Sequence, residues 1–222
     1  MPSLSIVVPA GPGDRAWQSL WPCLPDSSDV ERVLVLADGD ALAAPPAQTT
    51  VLTAARGRAK QMNAGLRASR GAVVWLLHAD SRVDADAVAS ALRAAAALEH
   101  TDHAVLAYFD LAFFDGPALM TVNAFGANVR SRLFGMPFGD QGFLAPRRVF
   151  ETLGGFDESI ARGEDHAFVW AARRAGIPLR RLPGRVATSA RRYAEHGWWR
   201  TTREHLALTW QQRRVFARPT PP

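Results

Sequence analysis

Four short apolar runs, over residues 4–8, 32–37, 49–53 and 73–77, recur through the first half of the chain. Three of them end in turn-forming or acidic residues: Pro9-Ala10-Gly11-Pro12-Gly13, Asp38-Gly39-Asp40 and His78-Ala79-Asp80. Strands that are apolar without alternation are covered on both faces, the condition of a parallel sheet flanked by helices. The stretches between them fit that scheme. Asp14 can cap a helix over 15–23, residues 57–69 read as a helix, and the alanine-rich 84–99 reads as another. This strand–helix alternation predicts a doubly wound α/β unit.

The second half changes character. Residues 104–114 alternate in places and suit an antiparallel strand, and 117–134 look helical. A short strand over 142–145 and a short helix over 146–152 follow, then a helix over 164–175 closed by Gly176. Residues 179–182 and 185–189 read as two short strands, and 198–217 as a last helix. The proline-rich end, 218–222, reads as a frayed tail.

With 222 residues, 48% of them hydrophobic, the chain can bury a core without staples. Its single cysteine excludes an internal disulfide and a thiolate metal cluster, and Cys23 reads as a small buried apolar residue on a helix. The first residues carry no charged segment followed by an apolar run, and no stretch approaches the roughly 18 apolar residues of a membrane span. A soluble, cytoplasmic protein is the expectation. The net charge of +5 comes almost wholly from arginine, with Lys60 the only lysine. Such a balance suits phosphate ligands, anionic lipid or nucleic acid, although most of the arginines read as solvated surface.

Open α/β sheets bind ligands beyond the carboxyl ends of their strands. Here those ends carry Pro9 and Ala10, then Asp38, then His78-Ala79-Asp80. Asp38 could accept hydrogen bonds from a base or ribose, and Asp80 could ligate a divalent cation through oxygen. A lone aspartate at a strand end is usually a turn or cap residue, but two in one sheet point to a site. Arg56, Arg58 and Lys60 cluster at the start of the 57–69 helix. Cations there oppose the helix dipole, and a bound phosphate would relieve them.

Several segments, in order, carry a family likeness: Ser5-Ile6-Val7-Val8-Pro9, Gly57-Arg58-Ala59-Lys60-Gln61-Met62-Asn63-Ala64-Gly65, and Leu77-His78-Ala79-Asp80-Ser81. Gly139-Asp140-Gln141-Gly142, Gly154-Gly155-Phe156, Gly163-Glu164-Asp165 and Thr188-Ser189-Ala190-Arg191-Arg192 follow. The sequence resembles family 2 glycosyltransferases of the GT-A fold, and within them the short bacterial subgroup labelled arsenosugar-biosynthesis glycosyltransferases. The resemblance implies one GT-A domain over 1–217, with a nucleotide-sugar-binding half (1–100) and an acceptor and catalytic half (101–217). It implies donor contacts from Pro9, Ala10, Asp38, Arg58, Gln61, Asn63, His78, Ala79 and Asp80. Asp80 would hold Mg²⁺ or Mn²⁺ on the diphosphate, and Asp165 would be the catalytic base beside Glu164, a helix-start or orienting residue. Asp140, Gln141, Arg191 and Arg192 would lie on the acceptor side. Many family members have an acid where this chain has His78, which leaves the metal fewer carboxylates; Asp40 or His196 could assist.

The implied reaction is one-step inverting transfer from a nucleotide-diphosphate sugar, with a UDP-sugar as the expected donor. The acceptor is not named by the residues, and a small molecule or a lipid-linked one would fit. The last helix reads first as a core-packing helix with a basic outer face, and its arginines and tryptophans would alternatively suit a peripheral contact with the inner face of a membrane. Two other readings stay open: a sugar-phosphate nucleotidyltransferase, and a non-catalytic nucleotide or nucleic-acid binding module. The first needs a lysine soon after the 10–15 glycine-rich loop, which is missing. The second needs an aromatic and basic stripe that is not evident before the last helix, so no nucleic-acid partner is expected.

Overall fold

A computed structural model describes residues 2–203, the side chains of Arg192, Glu195 and His196 excepted. Four parallel strands form the first half: β1 (Leu4–Pro9), β2 (Val30–Ala37), β3 (Thr49–Ala54) and β4 (Val73–Leu76). β1, β2 and β4 are buried along their whole length, as their unbroken apolar runs require, and β3 is half-exposed because it is the edge strand. The sheet then continues through β5 (Arg82–Val83), β6 (Leu106–Phe113), β7 (Leu144–Pro146) and β8 (Leu179–Thr188). Its order is β3-β2-β1-β4-β7-β6-β8-β5.

The helices in chain order are α1 (Trp17–Leu20), α2 (Arg58–Ala68), α3 (Ala85–Leu98), α4 (Met120–Phe134), α5 (Arg147–Thr152), α6 (Glu164–Arg174) and α7 (Arg191–His196). Successive strand residues point to opposite faces, so β1 feeds two cores. Leu4, Ile6 and Val8 pack with Trp17 and Leu20 of α1 and Ala87, Ala91 and Ala95 of α3. Val7 packs on the other face with Ala59, Met62 and Leu66 of α2, Phe150 of α5, and Phe168 and Val169 of α6.

Several expectations need correction. The helix over 15–23 is one turn of α-helix continued by a 3-10 turn over Trp21–Cys23, where Pro22 interrupts the ladder. Asp14 does not cap that helix: its Oδ1 accepts from the Ala16 N–H at 2.8 Å in the turn that leads in, and the helix start at Ala16 has no side-chain cap. Cys23 is exposed, not buried, because the 3-10 turn faces it to solvent. β6 pairs antiparallel with β7 but parallel with β8. The two short strands over 179–189 are one strand, β8, which shifts register between Tyr108 and Asp110 of β6; Pro183-Gly184 occupies the irregularity. Strand β5 is too short to show a pattern. The last helix is seen over 198–203; its remainder to 217, the tail 218–222, and the alternative membrane contact of that helix lie outside the described residues. Among the described residues no helix is long and apolar enough to cross a membrane.

Candidate active site

A cavity of about 960 Å³ opens beyond the carboxyl ends of β1, β4, β6 and β8. It reaches the crevice between β1 and β4, where the connections leave the sheet in opposite directions. Pro9 and Gly11 follow β1, and His78, Ala79 and Asp80 follow β4. The amino end of α2 supplies Arg56, Gly57 and Arg58, and the amino end of α6 supplies Asp165. The opposite wall is α4, with Asn123, Gly126 and Arg130, together with Phe138 and Asp140 from the following loop. Ser189, Arg191 and Tyr193 close it from the end of β8.

The carboxylates differ in environment. Burial pushes the Asp80 carboxyl up, and the nearby Asp14 charge adds to this. For Asp165 burial alone would raise the value. His166, Arg58, the Gly139 N–H and His78 outweigh it and hold the carboxyl below its ordinary range. The Gly139 amide donates to Asp165 Oδ2 at 2.7 Å, and the His166 amide donates to Oδ1 at 2.9 Å. A side chain at Gly139 would meet His78 Nε2 at 3.1 Å and Asp165 Oδ2 at 3.2 Å, so His78 and Asp165 both crowd this glycine. Asp165 is therefore ionised, at the amino end of a helix whose dipole favours its charge. Burial pushes the Asp140 carboxyl up to about 6; Arg130 opposes the rise and Asp165 reinforces it. Glu164 is also pushed up by burial, although Arg58 Nη1 lies 3.4 Å from its Oε1.

Of the expected site residues, Pro9, Arg58, Gln61, His78, Ala79, Asp80, Asp140, Asp165 and Arg191 meet at the cavity. Others do not reach it. Asp38 is exposed and not among the lining residues. Ala10 is buried, and its carbonyl accepts from Gln61 Nε2 at 2.6 Å. Gln61 also donates to the Val35 carbonyl at 3.0 Å, so its amide is committed to tying α2 to the strand ends. Asn63 faces away: its amide pairs with the Phe156 N–H and carbonyl and with Glu158, which pins the Gly154-Gly155-Phe156 turn on α2. Gln141 is fully buried, bonded to the Phe109 carbonyl, the Ser131 hydroxyl and the Phe138 N–H. Glu164 stands behind Arg58 and is not a lining residue. Asp40 accepts from the Gly13 N–H and does not line the cavity. The side chains of Arg192 and His196 lie outside the described ones.

Asp14, Arg130 and Tyr193 line the cavity without having been singled out for it. Their local sequence holds no signal; the fold brings them in from a loop, a helix and the chain beyond β8. Among the described residues no three His, Cys, Asp or Glu side chains cluster closely enough to hold a metal alone. Asp80 nevertheless fits a cation shared with a ligand, because its buried charge beside Asp14 is one that a cation would relieve.

The family model of glycosyl transferase family 2 matches residues 27–154. Among solved structures, a mannosyltransferase from Pyrobaculum calidifontis, PcManGT, in complex with GDP-Man and Mn²⁺, is 18% identical. Its TM-score is 0.63, and the match covers 100% of this chain and 66% of that one. S. aureus TarS is 15% identical with a TM-score of 0.56; the match covers 86% of this chain but 35% of TarS. Residues 1–349 of TarS in complex with UDP-GlcNAc match with the same identity and score, over 56% of that chain. The chain thus spans about a third to two thirds of the length of these relatives. No curated protein matches by sequence. The curled, mostly parallel sheet flanked by helices is the GT-A arrangement of these neighbours. With more than half of its length matched by the family model, the chain belongs to glycosyl transferase family 2.

Proposed function

We propose that the protein transfers a sugar from a nucleotide-diphosphate donor, a UDP-sugar being the first to test, with inversion at the anomeric carbon. One observation carries this reading. The strand-end acid Asp80, the basic amino end of α2 and the ionised Asp165 meet in a single cavity. Arg56 and Arg58, with the first amides of α2, suit the donor's diphosphate. A divalent ion, Mg²⁺ or Mn²⁺, shared by Asp80 and diphosphate oxygens would offset the charge on the departing nucleoside diphosphate.

Asp165 accepts the proton of the attacking acceptor hydroxyl. The hydroxyl oxygen bonds to the anomeric carbon while the bond to the diphosphate oxygen breaks, so the nucleoside diphosphate leaves with the electron pair. Gly139 and the amino end of α6 hold the Asp165 carboxylate in place and charged. Glu164 orients Arg58. The subgroup of arsenosugar-biosynthesis type agrees with the chain's motif order, and no step depends on it. Asp165→Asn keeps the shape of the side chain and removes the base. Donor-dependent turnover is expected to fall at least 100-fold, as for other general bases, with UDP affinity by calorimetry nearly unchanged. Turnover within a few-fold of the parent would assign the base elsewhere.

A further inference from the structure

Helix α4 turns an apolar face to solvent. Its inner face is fixed by packing and hydrogen bonds. Met120 and Ser131 are buried, and the Tyr108 hydroxyl donates to the Ser131 carbonyl at 3.2 Å. The Asn128 amide accepts from the Leu111 N–H at 2.7 Å and donates to the Leu111 carbonyl at 3.0 Å. The opposite face therefore looks outward. At about 100° per residue, Val122, Phe125, Gly126, Val129 and Leu133, with Leu119 just before the helix, fall within one arc of about 120°. No polar residue of the helix shares that arc, whereas a surface helix normally shows charged and polar residues there. Of the seven large apolar side chains exposed among the described residues, five stand between Leu119 and Phe134. Apolar residues scattered singly over a surface need no explanation, but a contiguous stripe of them marks a contact.

The border of the stripe is basic. Arg132 flanks it on α4 and is exposed. Where α4 ends, the exposed Arg173 donates to the carbonyls of Phe134 at 2.8 Å and Gly135 at 3.2 Å. Near its start, Asn123 donates to the Thr202 hydroxyl at 3.3 Å, and the short helix that carries Thr202 also carries the exposed Trp199, Arg200 and Arg203. Residues 116–139 contain no acid at all. Asp110, which pairs with Arg132, is shared with Arg181 and so leaves positive charge in excess.

This charge decides between the possible occupants. A second copy meeting the stripe face to face would set one arginine border against another, with no acid on the face to join them. The chain's own end brings little counter-charge, since after Arg203 it holds Glu204 alone against Arg213, Arg214 and Arg218. An anionic phospholipid surface supplies what both the stripe and its border lack. Acyl chains take up the apolar side chains, headgroup phosphates meet the guanidiniums, and a tryptophan such as Trp199 suits the boundary between them.

We propose that α4 is a membrane-surface helix, which lies flat in the headgroup region of an anionic phospholipid bilayer without crossing it. The stripe runs about 21 Å from Leu119 to Leu133, about four turns of contact. Val122 and Phe134 also line the cavity, so the bilayer lies along its open rim. No donor or acceptor enters the assignment, which stands apart from the transferase reading.

The test mixes the full chain with vesicles of phosphatidylglycerol and phosphatidylcholine in equal parts, or of phosphatidylcholine alone, and reads co-flotation. Binding to the anionic vesicles is expected to be at least about tenfold tighter and to weaken as salt is raised. Phe125→Gln together with Leu133→Gln removes the two most exposed side chains of the stripe; neither lines the cavity, and glutamine keeps the helix. This variant is expected to melt like the parent and to lose at least about tenfold in vesicle affinity. Where it fails to fold, Phe125→Gln alone carries the comparison. Trp210→Gln together with Phe216→Gln is the control for the chain's end. Parent-like flotation of the α4 variant overturns the proposal, and loss by the control alone gives the contact to the chain's end instead. Absence of co-flotation by the parent, or equal binding to the two kinds of vesicle, overturns it as well. So does a parent that is dimeric by analytical ultracentrifugation while the α4 variant is monomeric, which would assign the face to a second copy.

Discussion

Asp140 shows what a single site residue costs the fold. Its carboxyl is pushed from 3.8 up to about 6, first by burial, with Arg130 opposing and Asp165 reinforcing. A folded value above the unfolded one means that the folded state holds the proton more tightly. Ionisation therefore costs stability as pH rises from about 3.8 through about 6, and the cost is complete above that. The rise corresponds to about 3 kcal/mol, an upper bound because removing the charge also takes away a counter-ion of Arg130. Asp140→Asn is thus expected to raise the melting temperature by a few degrees at pH 7.5, with the gain vanishing near pH 4. Melting curves at the two pH values check it, and an equal shift at both would contradict the electrostatic cause. At this scale the sequence was half legible. Asp80 and Asp165 stand in recognisable motifs, and the cavity holds them both. Asn63 and Gln141 stand in other motifs of the same ordered set but are spent on holding turns and helices together. A motif preserves an arrangement, and only the fold tells which of its members face the ligand. Arg130 has no motif at all; Phe138 and Met136 give it a role by folding back on α4.

Helix α2 couples packing to the site. It lies so close to the sheet that a Cβ on Gly65 would fall 2.3 Å from Val7 Cγ1 and 3.0 Å from Val35 Cγ2. Both valines are fully buried in strands, so neither can yield freely. The same helix carries Arg58 at its amino end and is tied to the strand ends by Gln61. Gly65→Ala is expected to lower stability by about 1–3 kcal/mol through overpacking. It is also expected to weaken UDP binding, because the helix must shift outward and Arg58 moves with it. Urea unfolding and calorimetry check the two effects, and a variant that lost stability but bound UDP like the parent would show that Arg58 is placed independently of the helix axis. Strands β1 to β4 and helices α2 and α3 were legible because their apolar runs or periods show in the sequence, whereas α1 is a single turn and was read too long. β5 has two residues and shows none. The irregularity in β8 broke one strand into two apparent ones, since Pro183 and Gly184 look like a turn when read without the partner strand β6.

Over the whole molecule the sheet joins two kinds of pairing. Parallel strands β3-β2-β1-β4 meet β6 and β8 through the short antiparallel strand β7. That junction depends on residues about seventy positions apart, Trp75 with Leu144, and no local pattern announces it. The cavity sits over the junction, with Arg58 and Asp80 from the parallel half and Arg130, Asp140 and Asp165 from the other. A ligand held by both halves binds the folded chain and not the unfolded one, so it stabilises the whole by mass action. At a UDP concentration of about 100 times Kd the gain is about 2.7 kcal/mol. For a domain of this size that is a rise of roughly 5–10 °C in melting temperature. The metal reading adds a condition. Asp80 is pushed up by burial and by Asp14, so anionic UDP alone adds a like charge to a site that already strains to hold one. The rise is therefore expected to be small with UDP alone, and several degrees larger with UDP and Mn²⁺ together. Asp80→Asn should remove the difference between the two. Thermal melts of the parent and this variant, with UDP, Mn²⁺ and both, decide the matter: an equal rise with and without Mn²⁺ in the parent would place diphosphate binding on the arginines alone.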